Sequence, residues 1–307
     1  DHRDLHYPLR RQRQMCIRDR LHPGYLSIQS YFYKPLCLKH ENLDERNCYD
    51  ILEKTYDEGI NIYDTSILSI IDINSKIEIL ADSISLPEGP LWDEESNSLL
   101  FPDIINNKVL IWNEKDGVKD YISPSGNTGY APNSGEALVG ANALNFDAKG
   151  NLILCQMGDR RVSIIKNSPT SKPNFETLID NYNGKRLNSP NDIIISSDGF
   201  YYFSDPAFGF LNLDTFQFIE SDLREIDFHG IYRFNPVNKE LSLVTDKVSV
   251  PNGLALSLDE KFLFIKKMGV LDESPKVLKL NLENKEIDTL FDLSLIHISE
   301  PTRQAEI

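Results

Sequence analysis

Residues 195–206 read ISSDGFYYFSDP: a Ser-Ser-Asp-Gly turn, an unbroken aromatic and apolar run, and a polar break closed by proline. A short apolar run between turn signals is the mark of a strand buried on both faces. The same sentence recurs three times. It reads WDEESNSLLFPD at 92–103, FDAKGNLILCQM at 146–157 and LSLDEKFLFIKK at 256–267. Each copy is followed by a second strand-like run: KVLIWN, RVSIIKN, GIYRFNP or KVLKLNLEN. The starts step by 54, 49 and 61 residues, read off the numbering. A strand-built period near 50 is the signature of propeller blades, with a β-sandwich or barrel as the competing arrangement. The expectation is therefore an all-β chain of propeller type.

The chain has 307 residues, 40% of them apolar, which is enough to build a packed core. No run approaches the ~18 apolar residues of a spanning helix. Asp and Glu outnumber Lys and Arg by 47 to 32, a net charge of -15. That field repels phosphate backbones and anionic lipid, which argues against nucleic acid and membrane surfaces as partners. A cation or a neutral small molecule fits better. The four cysteines (Cys16, Cys37, Cys48, Cys155) show no C-x-x-C spacing, so neither a zinc site nor a disulfide framework is expected. Cys155 reads as a buried strand thiol. The compartment stays open: a soluble protein, cytoplasmic or periplasmic, is expected, because the basic start lacks the apolar segment of a secretory signal.

Three short motifs precede strands at repeat-related places: LPEGPLW (86–92), LNSPNDI (187–193) and VPNGLAL (250–256). Each sets an oxygen-bearing side chain in a Pro/Gly turn: Glu88, Asn191 and Asn252. If the blades are equivalent, these oxygens converge on the propeller axis. One carboxylate with carboxamide oxygens is hard-ligand chemistry, best suited to calcium, with zinc, magnesium or manganese as other candidates. Taken singly, each motif also fits an ordinary turn or hairpin role. Asn142 in GANAL and Arg186 near Asn191 are expected to line the same channel and touch substrate. Arg160 and Arg161 are expected to pair with acids at a blade edge, and Asp205 and His229 to be structural. SPSG at 123–126 lacks the G-x-S-x-G frame of a serine hydrolase.

From Ile71 to Leu293 the order of these motifs resembles the senescence-marker-protein, gluconolactonase and luciferin-regenerating-enzyme family, its bacterial gluconolactonase-like branch most of all. The stretches that carry the resemblance are LPEGPLWDEESNSLLFPD, GANALNFDAKGNLILCQMGDRR, GKRLNSPNDIIISSDGFYYFSDPAFGF and VPNGLALSLDEKFLF. The resemblance implies a six-bladed propeller with one divalent metal in its channel, held by Glu88, Asn191 and Asn252. It further implies hydrolysis of a lactone, with a fourth ligand, an Asp of a later blade, as base or nucleophile. No Asp of 272–292 stands in that setting, so the acid is expected beyond the chain end and the propeller incomplete, with four to five blades present. A non-catalytic calcium-binding or interaction propeller, or an inactive fragment, is the alternative. Two further departures are Met157, where the family carries His, and FIKKMG (264–269), where it carries Asn or Asp.

The expected organisation is a leader (1–20), an extension (21–69), the propeller (70–293) and a tail (294–307). The ends, PLRRQRQMCIRDR and SLIHISEPTRQAEI, resemble translated adapter DNA and are expected to be foreign to the fold. Residues 41–66 read as a helix and a strand and resemble a fragment of an aldo-keto reductase, in which Asp64 would match the active-site Asp.

Overall fold

The computed structural model describes residues 69, 79–132, 138–166, 173–213, 215, 217–269 and 273–292. The leader, the helix and strand expected at 41–66, Asp64, Cys16, Cys37, Cys48 and the tail lie outside the described residues.

Among the described residues twenty strands follow in chain order. The first blade holds β1 (Leu91–Asp93), β2 (Ser98–Asp103), β3 (Lys108–Asn113) and β4 (Gly117–Ile122). The second holds β5 (Ala141–Phe146), β6 (Leu152–Gln156), β7 (Arg161–Ile165) and β8 (Phe175–Ile179). A small hairpin, β9 (Asn181–Tyr182) with β10 (Lys185–Arg186), precedes β11 (Ile193–Ile195) and β12 (Tyr201–Asp205). A second hairpin, β13 (Leu211–Asn212) with β14 (Gln217–Phe218), interrupts the third blade before β15 (Gly230–Phe234) and β16 (Leu241–Thr245). The fourth blade holds β17 (Pro251–Leu256), β18 (Phe262–Lys267), β19 (Lys276–Asn281) and β20 (Ile287–Asp292). Each blade is a four-stranded antiparallel meander, and the all-β expectation holds. Among the described residues no helix is long and apolar enough to cross a membrane.

The four repeat copies are the β1–β2, β5–β6, β11–β12 and β17–β18 hairpins. One device closes all four turns. An Asp or Ser side chain accepts a hydrogen bond from the backbone of its own turn: Asp93 from Glu95 N (3.0 Å), Asp147 from Lys149 N (2.8 Å), Ser196 from Phe200 N (3.1 Å) and Ser257 from Phe262 N (3.0 Å). A left-handed residue then finishes the turn: Asn97, Gly150, Gly199 or Glu260.

Blades stack face to face, and the unbroken apolar runs follow from that. Every residue of β6 and β7 is buried. Alternate side chains serve opposite neighbours. Leu152 and Leu154 pack with Leu100, Val109 and Ile122 of the first blade. Ile153 and Cys155 pack with Phe203 and Tyr232 of the third. Tyr202 and Ile231, on the other face of the third blade, meet Leu263, Ile265 and Leu280 of the fourth. Each fully buried Phe or Leu in these layers contributes roughly 1.5–3 kcal/mol.

Candidate functional site

The innermost strands carry irregularities of one kind, and these shape the site. In the second blade Ala141 pairs with Gln156 and Leu144 with Leu154, so Asn142 and Ala143 together face Cys155. In the fourth, Pro251 pairs with Lys267 and Leu254 with Ile265, so Asn252 and Gly253 together face Lys266. In the third, Asn191 N donates to Ser204 O (2.8 Å) and Ser204 N donates to Asp192 O (3.0 Å), so Asn191 and Asp192 both face Ser204. Each is a β-bulge, which re-aims side chains at a strand end. Asn142, Asn191 and Asn252 hold the same place in three blades. In the first blade Pro87 bridges Asp103 and Leu91 pairs with Leu100, which leaves Glu88, Gly89 and Pro90 against Phe101 and Pro102. Glu88 is that blade's counterpart of the three asparagines.

The bulges are tied to one another. Gly89 has φ +43, and a Cβ there would stand 2.2 Å from the carbonyl oxygen of Asn142. Only glycine lets the first blade's turn lie so closely on the second blade's bulge. Asn145 Nδ2 donates to Ile193 O (3.2 Å), joining the second blade to the third. Ser204 Oγ donates to Asn252 O (2.7 Å), and Leu254 N donates to Asp192 Oδ2 (2.6 Å), joining the third to the fourth.

The polar groups at this centre are distinct in environment. Glu88 is exposed, and desolvation by the surrounding protein nonetheless raises its carboxyl pKa. Lys266 opposes that rise, Asp192 adds to it, and the Gly89 N–H lowers it. Asp192 is likewise raised by desolvation and lowered by hydrogen bonds from the N–H groups of Leu254 and Ile193. Those two bonds occupy both carboxylate oxygens, which makes Asp192 a brace for its own bulge. Asn191 is buried at 2% exposure, and its Nδ2 has no hydrogen-bond partner. Asn142 is buried and points Nδ2 at Met157 Sδ, 3.3 Å away. Asn252 is half-buried.

Arg186 sits on the β9–β10 hairpin. Its Nη1 is 3.9 Å from Asp180, its guanidinium lies 5.6 Å from the Tyr130 ring centre, and its backbone N donates to Glu225. Arg160 and Arg161 are not at an edge but buried, at 2% and 4% exposure. Arg161 pairs with Asp159 (3.1 Å), while Arg160 Nε donates to Leu187 O (2.8 Å). Asp205 holds the approach to Asn191 by accepting from Asn188 N and Ser189 N, both at 2.8 Å. Burial pushes its carboxyl pKa up to about 7 against those two bonds. His229 Nδ1 accepts from Ala207 N (3.2 Å), and burial lowers its pKa to about 4. Sequence reading passed over Asp192 and Lys266. The signal for both was the register of the repeats, which sets Lys266 opposite Asn252 and Asp192 directly after Asn191.

Among the described residues no three His, Cys, Asp or Glu side chains gather closely enough to hold a metal ion. A cation at this centre would therefore depend on Glu88 together with amide oxygens. Such an ion would be met by the amide oxygens of Asn191 and Asn252; the unpartnered Nδ2 of Asn191 is a donor and leaves the orientation of that amide unfixed from its nitrogen side.

Comparison with known proteins gives concordant results. The model of the family described as "SMP-30/Gluconolactonase/LRE-like region" matches residues 86–283. A gluconolactonase of Zymomonas mobilis is 36% identical over 197 residues, covering 64% of this chain and 53% of that protein. The chain thus spans about half the length of the curated relative it matches. A solved gluconolactonase of Xanthomonas campestris, described as important in glucose secondary metabolic pathways, superposes with a TM-score of 0.55 at 28% identity, over 68% of this chain and 63% of that one. A luciferin-regenerating enzyme shares the fold, with a TM-score of 0.50 at 14% identity over 70% of this chain and 63% of that one.

Proposed function

The chain belongs to the SMP-30/gluconolactonase/LRE-like family, and from that premise we propose that its bulge-lined centre hydrolyses a small lactone, a sugar-acid lactone above all, with the help of one divalent cation. Glu88, Asn191 and Asn252 would hold the ion, calcium being the best match to an all-oxygen donor set. A bound divalent cation supplies a Lewis acid that polarises the lactone carbonyl. In the reaction water oxygen adds to the acyl carbon, the ring C–O bond breaks, the ring oxygen leaves as a hydroxyl, and the new carboxylic acid releases its proton.

The chain's own residues set the geometry. Glu88 supplies the one carboxylate among the three proposed ligands, the group that brings negative charge to a cation. Asp192 pins the 191–192 bulge to the fourth blade, so that Asn191 and Asn252 keep a fixed relation. Asn142 presents its backbone carbonyl to Gly89 and fixes the turn that carries Glu88. What supports the reading is the run of contacts that ties each inner-strand turn to the next, together with a buried Asn191 whose Nδ2 has no hydrogen-bond partner.

The test is release of acid from glucono-lactone, followed with a pH indicator. Activity that falls after chelation, returns with calcium, and drops at least about a hundredfold in Glu88→Gln and Asn191→Ala supports the proposal. A rate unchanged by chelation and by Asn191→Ala overturns it. Calcium binding seen by calorimetry without any turnover would instead mark a binding module.

A further inference from the structure

A small cavity lies between the second and third blades, walled by Leu138, Val139, Met157, Arg160, Asn188 and Phe210. It has room for about one water molecule. Two of its walls carry buried polar atoms with no hydrogen-bond partner: Nη2 of Arg160 and Oδ1 of Asn188. Arg160 is 2% exposed and Asn188 is fully buried. Both side chains are held in place. Arg160 Nε donates to Leu187 O (2.8 Å) and Asn188 O (3.3 Å), and the Phe210 ring centre lies 5.2 Å from the guanidinium. Asn188 Nδ2 donates to Phe228 O (2.8 Å) and Asp205 O (3.4 Å), so a flip of this amide would set its oxygen against two carbonyls. A buried donor and a buried acceptor left unmade are costly, which points to a guest that serves both.

The chemistry of the pair selects that guest. An anion would meet the Arg160 N–H but face the Asn188 carbonyl oxygen. Burial disfavours the Arg160 charge, while Glu225 and Asp205 already support it, so no further anion is needed. A cation would face the guanidinium. A hydroxyl accepts from one wall and donates to the other. The apolar walls of Leu138, Val139, Met157 and Phe210 suit the carbon that carries it. The cavity also adjoins the proposed centre. Its wall residue Met157 meets Asn142 Nδ2 at Sδ (3.3 Å), and Asn188 stands three residues before Asn191.

We propose that this cavity is a hydroxyl subsite: it holds one water in the free protein, and a hydroxyl of a polyhydroxylated lactone takes that water's place. The water half stands on the cavity and its two unpartnered atoms alone, and the substrate half rests on the lactone reading above. A substrate hydroxyl makes the same two hydrogen bonds as the water, so the exchange leaves no buried group unpaired. A lactone without hydroxyls leaves the water where it is.

Two measurements on the full chain test the halves separately. A crystal structure of the unaltered protein, with a bromide soak, is expected to show one water about 2.7–3.2 Å from both Arg160 Nη2 and Asn188 Oδ1. An empty cavity, or a bromide in it, overturns the site. Kinetics then compare glucono-lactone with δ-valerolactone, a six-membered ring without hydroxyls. Gly209 also lines the cavity, and an alanine Cβ there would stand 3.2 Å from Ser189 Cβ and 3.8 Å from Met157 O. Gly209→Ala therefore narrows the cavity, and neither Arg160 nor Asn188 is among the nearest neighbours of the added methyl. It is expected to lower kcat/KM for glucono-lactone about tenfold and to leave δ-valerolactone within about twofold. Arg160→Lys, which keeps the charge and removes Nη2, is expected to shift the two substrates in the same way. Equal effects on both lactones overturn the substrate half. Hydrolysis of neither lactone by the unaltered protein would overturn the lactone function and the substrate half with it, while the water seen in the crystal would still establish the site.

Discussion

The second and fourth blades share one backbone plan and differ in what surrounds it. Both are four-stranded meanders, both open on a Pro/Gly or Gly/Ala turn, and both carry the same bulge at the inner strand. In the second blade β6 and β7 are wholly buried between neighbours. In the fourth, the corresponding β18 and β19 are buried at alternate positions, on the face they turn to the third blade. The bulge of the second blade faces the buried Cys155, and that of the fourth faces the exposed Lys266. A shared backbone register fixes where a functional group stands, and local burial fixes which group can stand there.

The largest effect expected of a single substitution comes from the turn pressed onto the second blade. Gly89→Ala places a methyl carbon 2.2 Å from Asn142 O and 2.7 Å from Ala143 Cα, at a positive φ. Both partners are backbone and cannot swing aside. A loss on the order of 3 kcal/mol or more is expected, with Glu88 displaced and any ion affinity gone. Denaturant unfolding and calcium calorimetry measure the two parts. A melt close to the unaltered protein would break the claim that the first turn is clamped on the second blade.

The next pair of substitutions contrasts buried and exposed ion pairs at corresponding β–β connections. Asp159, fully buried, accepts from Thr128 N and Oγ1 and from Tyr130 N, and pairs with Arg161. Asp159→Ala leaves the Arg161 charge buried and frees the 125–131 loop, at a cost of about 3 kcal/mol. In the fourth blade Glu273 pairs with Lys267 at 2.5 Å, with the Glu273 side chain 57% exposed. Glu273→Ala should cost less than about 1 kcal/mol. Urea unfolding of both variants tests the contrast, and equal losses would sink it.

Much of this plan is legible in the sequence. The four ISSDGFYYFSDP-like repeats gave away the hairpins because each buried strand sits between an Asp- or Ser-closed turn and a polar break, both of which are local signals. Glu88, Asn191 and Asn252 stand out as candidates for the same reason, since Pro-Glu-Gly-Pro, Pro-Asn-Asp and Pro-Asn-Gly are turn chemistry just ahead of a strand. The equivalence of Asn142 with Asn191 and Asn252 needed the bulge register, which no local pattern displays. Arg186 was drawn to the site by proximity in sequence to Asn191, but the β9–β10 hairpin turns it toward Asp180 and Tyr130. Arg160 and Arg161 look like a surface pair, yet Arg160 donates to backbone carbonyls inside the fold and Arg161 finds Asp159 there.

A further effect, spread over about three pH units, separates the third blade from its neighbours. The Asp205 carboxyl is raised from an ordinary value of 3.8 to about 7 by burial. Between those values the folded chain keeps a proton that the unfolded chain has released. Stability from this group is therefore full below about pH 4 and is lost as pH rises toward 7. Asp205→Asn should flatten that decline in unfolding free energy. Chemical denaturation at several pH values between 4 and 7 checks it, and identical slopes in the two proteins would refute it.

The smallest effect is the mirror of the first. Gly253 holds in the fourth blade the bulge position that Ala143 holds in the second. Its φ is not in the left-handed region, and a Cβ would meet Lys266 Cβ at 3.7 Å and Asp192 Oδ2 at 3.8 Å, both ordinary contacts. Gly253→Ala therefore adds no clash, and it removes freedom from the unfolded chain, which is worth about 0.4–1 kcal/mol toward stability. The new methyl also lies between the lysine stem and the Asp192 carboxylate, where it trims water from that carboxylate without blocking its bond to Leu254 N. A Tm unchanged or raised by a few degrees is expected, with calcium affinity within about twofold of the unaltered protein. A marked loss in either would mean that the fourth-blade bulge needs its glycine for close approach, as Gly89 does, and that the difference between the two blades lies in backbone geometry more than in burial.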